Sequence, residues 1–196
     1  MHGLASPERF LLASVAACIG IDPATEIEWV LANPLEWSAM LEAGKVDAIA
    51  GFPPMNYDLH ARKVGHVILN TITDDPWRLY FCCLLAVRRD YLEANPVATK
   101  RALRALLKAN ELCTNQPETA AGWLVEHGQA PSFEVALATL KDIPYVAWRN
   151  YDPAESLRFY ALRLREAGLI DVAPDTIIAN GSDWAIYNQL KQELKA

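Results

Sequence analysis

No apolar run in this sequence is long enough to cross a bilayer. The most continuous one, Phe81 to Val87, falls far short of the roughly 18–20 residues that a membrane-spanning helix needs. Runs of basic residues are also missing, and the net charge is −6. That balance argues against nucleic acid or an acidic membrane surface as a partner. Cysteine is scarce: Cys18, Cys82, Cys83 and Cys113 show no CxxC and no zinc-finger spacing. Cys82 and Cys83 would point to opposite faces of a strand, so shared metal binding is not expected of them. The four histidines, His2, His60, His66 and His127, are scattered and form no HExxH. There is no GxSxG, no phosphate-cradling GxxxxGK[ST] and no recognisable Cys-His pairing. The residues therefore predict no catalytic group, no metal ligand and no cofactor.

What the chain does have is apolar mass. Hydrophobic residues make up 52% of its 196 positions, enough for one large core or two small ones. No internal repeat or low-complexity stretch interrupts it. Ser6-Pro7-Glu8 is a helix start, with a capping hydroxyl, a proline in the first turn and an early acid. That helix is expected to reach about Gly20. Ile27 to Leu31, Val46 to Gly51, Val64 to Ile72 and Leu79 to Val87 read as strands. Glu36 to Ala43 reads as a helix stopped by Gly44, and Pro53-Pro54 breaks the chain before a short helix to about Lys63. The second half predicts helices over 96–113, 117–127 and 132–142. Leu157, Tyr160, Ala161 and Leu164 form a stripe at i, i+3, i+4 and i+7, and a last helix is expected from Ser182-Asp183 through Leu194.

The stretch RFLLASVAACIGIDP (9–23) has two readings. A basic residue, an apolar run and Val15-Ala16-Ala17-Cys18 fit an export signal or a lipidation site. The same residues fit a buried amphipathic helix, and Glu8 sits where a signal's leading region lacks acids.

The order of elements carries a resemblance. LEAGKVDAIAGFPP (41–54), with the helix and strand of ASPERFLLASVAACIGIDPATEIEWV before it and NPVATKRALRALLKANELC after it, resembles the nitrate/sulfonate/taurine-type solute-binding proteins of ABC importers. That group also includes the thiamine-pyrimidine synthases. The resemblance favours the buried helix over the export signal. It implies a type II periplasmic-binding-protein-like α/β fold. Residues 1–95 would form a second lobe with a mostly parallel sheet, and residues 96–196 a helical C-terminal half packed on the lobes. It further implies that an export signal and most of a first lobe precede Met1 in the full-length form, which would be a periplasmic monomer. The implied partners are a small solute and the importer's membrane permease, with two lobes closing about the ligand. The alternatives of the same fold are a synthase-like enzyme and an intracellular ligand sensor. In the synthases a richer cysteine run, associated with iron, stands where Phe81-Cys82-Cys83-Leu84-Leu85 stands here.

A binding cleft in such a sheet lies beyond the strand ends, where helix N-termini offer free N–H groups to an anion. Three segments are candidates. One is the turn before the first helix, with Leu4, Ala5 and Ser6, although Ser6 also fits a plain cap. The second is Phe52, Pro53 and Pro54, which also fit a simple turn. The third is TITDDPWRLYFCC (71–83). There Thr71, Thr73 and Arg78 would supply donors and Trp77 and Tyr80 the walls; the two aromatics also fit packing, and Arg78 a solvated side chain.

Overall fold

Serine, proline and glutamate at positions 6–8 do start the first helix. The computed structural model describes Met1, Gly3, residues 6–81 and residues 83–194. Helix α1 runs Pro7–Cys18, with the Ser6 hydroxyl accepting from the Arg9 N–H at 3.3 Å. A short 3-10 turn, Pro34–Glu36, opens with a capping box on Asn33 and leads into α2 (Trp37–Glu42). Gly44 follows at φ +66°, a conformation that costs glycine nothing and ends the helix where expected. Helix α3 (Met55–Ala61) follows the prolines. Beyond it come α4 (Arg89–Ala94), α5 (Pro96–Asn115), α6 (Pro117–Glu126) and α7 (Phe133–Asp142, capped by Ser132). Then follow α8 (Pro153–Glu166), α9 (Pro174–Gly181) and α10 (Ala185–Glu193). The peptides Pro53–Pro54 and Asp75–Pro76 are cis. Among the described residues no helix is long and apolar enough to cross a membrane.

The expected α/β lobe with a mostly parallel sheet is not found. No strand is present among the described residues. Met1 and the segment 30–32 exchange two backbone bonds, Met1 N to the Val30 carbonyl and Ala32 N to the Met1 carbonyl, both 3.0 Å. One such rung is not a ladder. The other β-patterned stretches run as irregular chain, and their apolar side chains lie open: Ile68 is 78% exposed and Leu85 48%. The physical reason is that β-branched and apolar alternation records a preference for a half-buried pleated surface. A strand exists only when a neighbouring backbone takes up its N–H and C=O groups.

The described chain forms two compact units. The first comprises Met1–Leu69 and Leu157–Gly181, with Ala13, Ala16, Trp37, Leu59 and Ala161 buried. Its Trp37 ring N–H donates to the Ala32 carbonyl at 3.2 Å, and Arg62 ties α2 to α3 through Glu42 and Asp58. The second comprises Asn70–Ser156 and Ser182–Ala196. Its densest part is α6 against α7, where Ala120, Ala121, Ala136 and Leu140 are buried under Cys113, Leu124, Leu137 and Tyr145. Alanines at the contact let the helix backbones approach closely. Burial pushes up the Cys113 thiol and the Tyr145 hydroxyl, both of which border this core.

Candidate functional site

Of the three candidate segments, Leu4 and Ala5 lie outside the described residues, as does Cys82. Ser6 is 2% exposed and is committed to capping α1. The acid that helps start that helix, Glu8, is itself buried in the first turn. An acid in the first turn complements the N-terminal partial positive charge of α1.

In the same unit Phe52 is exposed, and its carbonyl accepts from Asn56 N at 3.4 Å. Pro54 precedes the first turn of α3, and its carbonyl accepts from Tyr57 and Asp58. Gly51 sits so close to Asn56 that an added Cβ would stand 3.3 Å from the Asn56 Cβ. Asp47 is exposed.

The richest segment is residues 70–81 of the second unit. Asn70 and Asp74 close it reciprocally. The Asn70 side-chain oxygen accepts from Ile72 N at 2.9 Å, and the Asp74 carboxylate accepts from Asn70 N at 2.8 Å. The Thr73 hydroxyl donates to the other Asp74 oxygen at 2.8 Å. These bonds, the Asn70 N–H first, hold the Asp74 carboxyl below the usual carboxylate range. Thr73 therefore serves the turn itself. The Thr71 hydroxyl has no hydrogen-bond partner among the described residues. A 3-10 turn over Trp77–Leu79 follows, with Arg78 N bonded to the Asp74 carbonyl at 2.9 Å. Trp77 is 3% exposed, so its ring is packing and not an open wall. Tyr80 is half-buried. Arg78 is half-exposed and forked onto Asp75, Nε to one carboxylate oxygen at 2.9 Å and Nη2 to the other at 3.3 Å.

Charge in the segment is thus local and nearly balanced: Asp74, Asp75 and Arg78. Arg78 is its one cation. A guanidinium presents five donors in a planar fork and fits a planar oxyanion, and Asp75 uses only part of that fork. Elsewhere in the second unit an open groove is lined by Ala86, Val87, Arg88, Asp90, Tyr91, Ala94 and Asn95, with Arg88 paired to Asp90. Among the described residues no group of three or more His, Cys, Asp or Glu is placed to hold a metal ion.

Asn70 lies just before the segment read from the sequence, and Asp74 and Asp75, although within it, carry no role in that reading. The Asn70/Asp74 spacing of four, closing a turn that the Asp-Asp-Pro run (74–76) follows, is the signal that points to them. Tyr151, whose hydroxyl reaches the Arg78 carbonyl at 3.2 Å, has no local signal at all.

Residues 1–125, more than half of the chain, match the NMT1-like family. The chain belongs to that family. Two relatives of known name agree with it. Over 97 residues the chain is 29% identical to the nitrate/nitrite binding protein NrtA of Synechococcus elongatus, covering 50% of this chain and 21% of that protein. Over 94 residues it is 28% identical to the nitrate/nitrite binding protein NrtA of a Nostoc species, covering 48% and 21%. The matched stretch is therefore about a fifth of those relatives' length. No solved structure matches the chain. The resemblance to nitrate/sulfonate-type binding proteins, read from LEAGKVDAIAGFPP and its flanks, is borne out by this NMT1-like membership and by both relatives.

Proposed function

We propose that this chain works in the solute-binding component of an ABC importer. It takes a small oxyanion of the nitrate or sulfonate type and delivers it to a membrane permease, in the periplasm and without chemical conversion. The observation that carries this reading is the NMT1-like match over residues 1–125 together with two relatives named as nitrate/nitrite binding proteins. The chemistry of the segment 70–81 supports it. Nitrate is a planar acceptor of three equivalent oxygens, and Arg78 offers a planar donor fork on a backbone closed by two side-chain bonds. Thr71 adds a hydroxyl in the same segment.

Binding of this sort needs no reactive group. It needs a cation already held in place, so that little side-chain freedom is lost when the anion arrives. The test is isothermal titration of the 196-residue chain with sodium nitrate against sodium chloride at equal ionic strength. Taurine, an aromatic carboxylate and a pyrimidine serve as competitors. Saturable one-to-one heat with nitrate or taurine, absent with chloride, supports the reading. A folded chain that gives no heat with any of them contradicts it.

A further inference from the structure

Tyr151 reaches residues 70–81 from far along the chain at two points. Its hydroxyl donates to the Arg78 carbonyl at 3.2 Å. Its ring meets that of Phe81 with centroids 5.4 Å apart and planes tilted by 59°. The residues just before it are fixed to the helices of the same unit. The Arg149 guanidinium pairs with Glu111 of α5 and donates to the Leu194 carbonyl, just past the end of α10, at 2.6 Å. It also lies 4.5 Å over the Trp148 ring. The Trp148 carbonyl accepts from the Tyr187 hydroxyl of α10 at 2.5 Å. Residues 148–151 are therefore a short strut, held at one end by α5 and α10 and ending on the backbone of Arg78.

A carbonyl held at Arg78 fixes the Cα from which the guanidinium projects. Tyr151 thereby restricts, through the backbone, where that cation stands. Preorganised donors bind more tightly because less freedom is lost on binding. We propose that Tyr151 is a positioning residue for Arg78: it holds the backbone of the segment 76–81 to the helical part of the unit and so sets the affinity for a planar oxyanion. The inference rests on the functional reading above for its ligand, though not for its mechanics.

Tyr151→Phe tests it, because the ring contact with Phe81 is kept and only the hydroxyl is lost. Amide hydrogen exchange and nitrate titration are measured on the full chain and on the variant. Exchange at Arg78, Leu79 and Tyr80 should rise about three- to tenfold, as loss of one hydrogen bond allows, with α5, α6 and α10 unchanged. Nitrate affinity should fall by a similar factor while the melting temperature holds. Unchanged exchange at 78–80, or a rise spread equally over the helices, overturns the proposal. Faster exchange with unaltered nitrate affinity overturns it as well. If the unmodified chain binds no anion, the functional reading fails, and exchange alone then decides whether Tyr151 holds the segment.

Discussion

Replacing Trp77 with alanine separates packing from ligand contact. The ring lies in a 3-10 turn and is 3% exposed, so truncation removes a nearly fully buried indole. Loss of a core tryptophan costs about 3–5 kcal/mol from lost transfer energy and the cavity left behind. The unit that holds Trp77 has about a hundred residues, and at that size 1 kcal/mol moves the melting temperature by roughly 4–8 °C. Trp77→Ala should therefore lower the transition by more than about 12 °C, a large part of the 5–15 kcal/mol that typically holds a domain together. Trp77→Phe keeps an apolar ring and should lose much less. The assay is thermal and urea unfolding followed by far-ultraviolet circular dichroism, with nitrate titration of whatever remains folded. An unchanged melting temperature combined with a lost nitrate response would refute the reasoning and make Trp77 a wall of the binding site.

Other expected outcomes follow from single contacts. Asp75→Asn frees the whole Arg78 fork from a competing exposed pair worth about 0.2–1 kcal/mol, so nitrate affinity should rise about 1.4- to fivefold by titration calorimetry, and Arg78→Gln should abolish it. Lys63 stands at φ +57° just past α3, where Val64 N bonds to the Leu59 carbonyl. Lys63→Gly should stabilise by about 0.5–1 kcal/mol in urea unfolding, the relief of a left-handed side chain less the entropy of glycine. The Asp74 carboxyl is depressed in the folded state, so its support of the 70–74 turn is complete above the usual carboxylate range. It is lost as the pH falls through the depressed folded value. Exchange at Asn70 should quicken across that acid window, and Asp74→Asn should remove the pH dependence.

The helices could be read from the sequence because their ends are written in local chemistry. Ser6-Pro7, Asn95-Pro96, Gln116-Pro117 and Ser132 each stand at a start, and Gly44 and Gly128 just past a stop. Helix α9 was missed although Pro174-Asp175 is a start of the same kind, and α4 is only six residues long. The sheet was misread because pairing is not local. Val64–Ile72 and Leu79–Val87 have the composition of strands, yet no described backbone completes them. The candidate site is intermediate. Arg78 and Thr71 stand out by residue type, whereas Tyr151 reaches Arg78 and Phe81 across most of the second unit's sequence, with nothing local to mark it.

The central claim is that residues 70–81 carry the anion contact. The most direct measurement is a nitrate titration of the isotope-labelled chain followed by amide chemical shifts. The account predicts saturable shifts concentrated at 70–81, with Arg78 and Thr71 among the largest, and none in the α6–α7 core. Shifts confined to other segments, or none at all with a well-dispersed spectrum, would contradict it.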